Sequence, residues 1–239
     1  MSPMNAIFKR ELKGYFGTPL AYVFLALFLM VSSAWMYADD FFLHQEASMR
    51  SFFQKLPWLF AFLAPLISMG MWAEERRTGT IEMLLTLPIT TKQAVLGKFF
   101  AGWAFMLIAL AATTPIYFTL CWLGDPEFGP VFTGYFGAFL LSGCYLAISS
   151  FFSMLTTSQV ISCVLAVIAC VVFIVIGNPS TVQNLPDPLV RIFESLSFST
   201  QFDLMQRGII EIRNLLFMGV MATGFLAASI VMLEDRKAA

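Results

Sequence analysis

Six apolar runs dominate this chain, at residues 19–37, 56–72, 99–123, 132–155, 160–176 and 214–233. At about 1.5 Å per helical residue, runs of this length are long enough to span a hydrocarbon layer of about 30 Å. A backbone in hydrocarbon must satisfy its own hydrogen bonds, so the runs predict helices. The expectation is an all-α integral membrane protein with six transmembrane helices in a single domain, 1–239. Composition agrees: 59% of residues are hydrophobic, 12% are charged and the mean hydropathy is +0.78, whereas a soluble domain is about half apolar and a quarter charged. The third and fourth runs are long enough to tilt. Only Thr156-Thr157-Ser158-Gln159 separates the fourth from the fifth.

Residues 4–15 form an amphipathic stretch before the first run. Ile7, Phe8, Leu12 and Tyr15 share a helical face, and Lys9, Arg10 and Lys13 supply charge, as in an interfacial helix. The run that follows is longer than a signal core and lacks an A-x-A site, which predicts a retained span. With the N-terminus inside, nine of the 14 Lys and Arg fall on inner segments, so both termini are expected in the cytoplasm. Trp58, Trp72 and Trp122 lie near span ends, where amphipathic rings prefer to sit.

The sequence excludes several functions. It has no G-x-x-x-x-G-K-[ST], so no nucleotide-binding loop of its own is expected. His44 is the only histidine, so no Ser/His/Asp catalytic set exists and an enzyme is not expected. Asp39, Asp40, His44 and Glu46 cluster on the first outer loop but match no metal-ligand motif, and a solvated loop is the expectation. The four cysteines sit in apolar runs without C-x-x-C spacing and read as small buried hydrophobes, not as a disulfide framework. A net charge of −1 offers no basic stripe for nucleic acid. The centres of the spans carry no charge, which argues against an ion-driven pump and against an ion channel with charged rings.

Two prolines fall inside spans. Pro65 and Pro115 are candidate hinge or pathway residues, and Thr113, Thr114 and Tyr117 cluster around the second. Carbonyls freed by a proline kink need donors, which neighbouring Thr hydroxyls can supply. Small residues recur every four positions at Gly134, Ala138 and Ser142 and at Gly219, Thr223 and Ala227, permitting close helix approach.

The most informative polar stretch is 74–98, EERRTGTIEMLLTLPITTKQAVLGK. Four charges close a span. Gly79 is placed to cap a following helix, with Glu82 in its first turn. Ile81, Leu84 and Leu85 share one face of that helix, and Pro88 ends it. Thr90-x-x-Gln93 reads as a capping box opening the third span. A passive connector needs far fewer residues, so a short amphipathic helix lying along the inner surface is predicted here.

The run from Glu75 to Pro88, with Lys92 and Gly97-Lys98-Phe99, resembles the inner loop of type-2 ABC transporter permeases, and most closely the gliding-motility permease branch. Phe8-Lys9-Arg10-Glu11-Leu12-x-x-Tyr15-Phe16 resembles that branch's interfacial start. Phe202-x-x-Met205-x-Arg207-Gly208-Ile209-Ile210 resembles its segment before the last span.

The resemblance implies a permease subunit of an ATP-driven exporter in a bacterial cytoplasmic (inner) membrane. The chain itself would bind no cofactor; ATP and Mg would sit on a dimer of separate ABC ATPase subunits. Glu75, Arg76, Gly79, Thr80, Glu82 and Pro88 would form the ATPase-coupling region, with Arg10 and Glu11 beside it. Short re-entrant or surface helices over 189–213 would roof the exit, and Thr200-x-x-Asp203 reads as a cap for the second of them. A second permease copy or related chain would complete the pathway, and some relatives add an accessory subunit with an extracytoplasmic domain. Uncharged spans fit an amphipathic or hydrophobic substrate. The alternative is a mechanical transmitter that drives an extracytoplasmic partner without net transport.

Overall fold

A computed structural model describes residues 3–38, 49–82, 89–124, 126–178, 181 and 186–238. Among the described residues every extended element is an α-helix: α1 (Pro3–Gly17), α2 (Pro19–Ala38), α3 (Arg50–Arg77), α4 (Thr91–Ala111), α5 (Thr114–Leu123), α6 (Phe128–Leu155), α7 (Gln159–Val175), α8 (Asp187–Leu196), α9 (Phe198–Gln206) and α10 (Ile212–Ala238). Five units are long and apolar enough to cross a membrane: α2, α3, α4 with α5, α6 and α10. The fifth apolar run forms α7, a 17-residue apolar helix about 26 Å long, just short of a full crossing when upright. Asp39, Asp40, His44 and Glu46 lie outside the described residues, as do Met83–Pro88 and with them most of the predicted surface helix.

The helices outlast the apolar runs because polar residues at the run ends stay helical. α3 starts at Arg50 and carries Glu74, Glu75, Arg76 and Arg77 as its last turn. Pro65 is buried inside α3 without ending it. α3 and α6 form the centre, with α7 packed on both, α2 on α3, α10 on α6 and α1 on α4. The apolar windows of α3, α4–α5 and α6 are 61–72% buried, against 22% for α2 and 17% for α10. The last two therefore present most of their surface outward, to lipid or to another chain.

Packing follows the small residues on α6. A Cβ at Gly134 would lie 2.5 Å from the Phe53 ring, which itself sits edge-on to Tyr135 at 5.4 Å. Ala138 and Ser142 are buried on the same face. The second stripe behaves differently: Gly219, Thr223 and Ala227 on α10 are all exposed.

Two short helices do precede the last span. α9 buries Phe198, Phe202 and Met205 against α6, α3 and α7, whereas α8 is largely exposed. The expected Thr200 cap is not used. α9 begins at Phe198 with Ser197 at its N-cap, because the 198, 202, 205 face must be helical throughout to bury. Asp203 instead accepts bonds from Gln206 and Arg207.

Candidate functional site

Both chain ends lie at one end of the bundle, the proximal end. α1 packs against α4 with Ile7 over Gly97, and Glu234 near the end of α10 accepts from the Thr91 hydroxyl at 2.8 Å. The charges that close α3 emerge there too. The sequence builds this end from three helix-terminus devices. The predicted capping box opens α4: the Gln93 N–H donates to the Thr90 hydroxyl at 3.3 Å, and the Gln93 side chain accepts from the Thr90 N–H at 3.2 Å. The four charges close α3. The amphipathic α1 buries Ile7 and exposes Lys9, Arg10 and Lys13.

At the junction of α1, α3 and α4 stands a four-charge cluster. The Lys98 side chain is 2% exposed. Its ammonium donates to Glu75 Oε1 at 2.7 Å and to the Met71 carbonyl at 2.8 Å, lies 3.5 Å from Glu11 Oε1, and sits 4.9 Å from the centroid of the Trp72 ring. Arg10 closes the cluster, 2.7 Å from Glu11 and 3.7 Å from Glu75. Its hydrogen bond to Glu11 raises the guanidinium above its ordinary pKa, with both carboxylates adding to the effect against some desolvation. Two cations face two anions, so a buried ammonium is tolerated near the membrane surface. The second Glu75 oxygen, Oε2, is buried without a protein partner.

The neighbouring charges tie α3 to other elements. Arg76 donates to the Met154 carbonyl at 2.6 Å, satisfying one of the carbonyls left open where α6 ends. Glu74 accepts two bonds from Arg77 and one from Gln159 Nε2 at 2.6 Å, reaching the start of α7. The Ser153 hydroxyl accepts from the Trp72 and Ala73 N–H groups at 3.2 and 3.3 Å and donates to the Met69 carbonyl at 3.2 Å. One side chain of α6 is thus built into the backbone ladder of α3.

Gly79 stands directly before the helical residues 80–82, as expected, and has a second role as well. It terminates α3, in the left-handed region at φ +72° and following Thr78 at the C-cap, where a side chain would be strained. Its carbonyl then accepts from the Glu82 N–H at 3.3 Å, so the same residue also opens the next turn. The Thr80 hydroxyl donates to the Glu75 carbonyl at 3.4 Å, and Glu82 is exposed. Pro88 lies outside the described residues.

The structure therefore brings Arg10, Glu11 and Glu75 together, places Arg76, Gly79 and Thr80 beside them, and leaves Glu82 facing solvent. Lys98, Trp72, Ser153, Gln159 and Glu234 complete the site, although the sequence did not point to any of them as a site residue. A lysine at the edge of an apolar run, yet about two turns inside the helix that the Thr90 capping box opens, is the signal that could have found Lys98.

Thr113, Thr114 and Pro115 belong to a separate feature, 15 residues along from Lys98 and so about 22 Å away. They bend the third span between α4 and α5. The Thr113 hydroxyl donates to the Leu110 carbonyl at 2.6 Å and pairs with the Tyr135 hydroxyl at 3.1 Å, while Thr114 donates to the Ala111 carbonyl at 2.8 Å. Freed carbonyls are answered by Thr hydroxyls, as the sequence predicts.

The profile of a family described as ABC-2 family transporter protein matches residues 42–231. The match begins after α2, so Arg10 and Glu11 stand outside it. No curated protein matches the chain.

Proposed function

The chain belongs to the ABC-2 family of transporter proteins, and from that premise we propose that it is an exporter permease whose proximal end receives a separate ATPase. Membership makes it a multi-pass permease subunit of an ABC transporter, a class that associates with an ABC ATPase. The finer reading is that the ATPase dimer docks on the turn after Gly79 and on α1 beside it, with the proximal end in the cytoplasm of a bacterial cell. ATP and Mg would stay on that partner. A second permease copy would complete the pathway, and the substrate would be amphipathic or hydrophobic.

One observation carries this reading. The last turn of α3, leading directly into residues 80–82 with Thr80 and Glu82 exposed, is bonded to α1, α4, α6 and α7. A load applied at that turn meets a connected structure, which is what coupling to an external motor requires. The test is purification of the tagged chain from its native host in mild detergent. A near-stoichiometric P-loop ATPase should accompany it and be lost on Glu82→Lys, with membrane insertion unchanged. Purification without any nucleotide-binding chain in several gentle detergents would overturn the proposal. ATP-dependent accumulation in vesicles separates transport from force transmission to an outer partner.

A further inference from the structure

We propose that the groove between α1 and α4 holds one acyl chain of an anionic phospholipid, with its headgroup on Lys9. The groove has a volume of about 430 Å³ and an almost wholly apolar lining from α1, α4 and Phe139 of α6. That lies in the range of roughly 300–1,000 Å³ usual for small-molecule sites. Its direction matters more than its size. It starts beside Asn5 and Gly97, at the level of the interfacial helix, and reaches Leu107. Ten helical residues span about 15 Å, half of a hydrocarbon layer of about 30 Å. The groove is thus as deep as one leaflet and runs the way a lipid chain runs.

Its floor is fixed before anything binds. The Trp103 ring stacks on Phe139 with centroids 4.3 Å apart and planes 4° apart, and its indole N–H donates to the Phe139 carbonyl at 3.0 Å. Gly143 makes this stacking possible, since a Cβ there would lie 2.9 Å from the Trp103 ring. A rigid aromatic floor lowers the ordering cost of holding a flexible chain.

Charge at the mouth selects the headgroup. Lys9 is one helical turn from the groove-lining Asn5, and Lys13 is one turn further on. Both are exposed and without an ion pair among the described residues. The nearest cation, Arg10, is already held by Glu11 and Glu75. Two unneutralised ammonium groups on an interfacial helix attract anionic lipid.

The experiment is native mass spectrometry of the purified complex after equilibration in mixed phosphatidylglycerol and phosphatidylcholine nanodiscs, counting phospholipids retained per chain. The wild type should keep one phosphatidylglycerol in preference to phosphatidylcholine. Lys9→Gln should reduce that preference about fivefold while retaining a lipid. Ala104→Phe, which fills the groove from α4, should abolish retention of both lipids, and Ala112→Phe, placed outside the groove, serves as the control for a bulky residue on the same span. Retention unchanged by Ala104→Phe, equal retention of the two lipids by the wild type, or crosslinking of Phe100 to a protein partner in place of lipid would each overturn the proposal.

Discussion

Glu75→Gln tests whether the proximal cluster is one electrostatic unit. The substitution keeps the shape of the side chain and one accepting oxygen, but removes the nearer carboxylate charge from the Lys98 ammonium, 2% exposed, leaving Glu11 at 3.5 Å as its anion beside the Met71 carbonyl at 2.8 Å and the Trp72 ring at 4.9 Å. Removing one partner of a buried pair costs about 3–5 kcal/mol. Glu75 is 18% exposed and Glu11 remains close, so about 2–3 kcal/mol is the expected loss. Lys98→Met strands a carboxylate that can turn toward water and toward Arg10 at 3.7 Å, and should cost only about 1 kcal/mol. The double variant removes both charges and should lie within about 1 kcal/mol of the wild type. For a chain of this size each kcal/mol moves Tm by about 2–4 °C. Glu75→Gln should then lower the melting point by roughly 5–10 °C, and adding Lys98→Met should restore most of it. Detergent-solubilised protein, heated at one fixed rate and followed by the loss of its monodisperse size-exclusion peak, gives the comparison. Equal, small and additive effects of the two single substitutions would refute the coupling.

Three further outcomes follow from the geometry. Gly134→Ala pushes a methyl against the Phe53 ring at 2.5 Å and should cost about 1–3 kcal/mol by overpacking, whereas Gly129→Ala, with nothing within 4 Å, should melt like the wild type. Thr113→Val removes a buried hydroxyl that serves Leu110 and Tyr135, so a loss of about 1 kcal/mol is expected in the same assay, and an unchanged Tm would mean the bend does not need it. Gly79→Ala forces a side chain into the left-handed region at φ +72°, costing about 1 kcal/mol at the end of α3. On the proposed reading it lowers substrate-stimulated ATPase activity in reconstituted vesicles more than it lowers Tm, and a parallel loss of both would show a purely structural role.

What was legible in the sequence was whatever local chemistry decides. Five of the six apolar runs give helical units long enough to span, because length and hydropathy suffice, and the other gives the shorter α7. Thr90 and Gln93 give the capping box because both partners lie within one turn, and the Thr113–Pro115 bend is legible for the same reason. The features that were not legible depend on other helices. Thr200 looked like a cap, but burial of Phe198, Phe202 and Met205 set the start of α9 instead. Gly79 looked like the start of a helix and does precede the helical residues 80–82, but its second role was not legible: the charged residues before it stay helical because α1, α4, α6 and α7 supply their partners, so the same glycine also ends α3. Lys98 reads as the edge of an apolar run until Glu75, 23 residues earlier in the chain, is placed beside it.

These partners share one property, which bears on how force could pass through the bundle. Lys98 and Arg10 link α3 to α4 and α1, Arg76 and Ser153 link it to α6, and Glu74 links it to α7. All of the α3 groups involved lie between Met69 and Arg76, on little more than two turns. α10 joins at one remove, through Glu234 and Thr91 of α4. Apolar contacts between helices in lipid are non-directional and let helices slide, because lipid tails solvate a leucine as well as a neighbouring helix does. Hydrogen bonds and ion pairs at fixed positions do not slide. The proximal third of the bundle is therefore pinned, while beyond Thr113 ring and aliphatic packing is joined by isolated hydrogen bonds between helices, from Ser197 to the Ile174 carbonyl at 3.4 Å and from Asn214 to the Gln201 carbonyl at 3.3 Å. On the proposed reading, motion delivered at residues 80–82 moves the pinned end as a body, and the helices accommodate it further along, where packing and a few scattered hydrogen bonds resist.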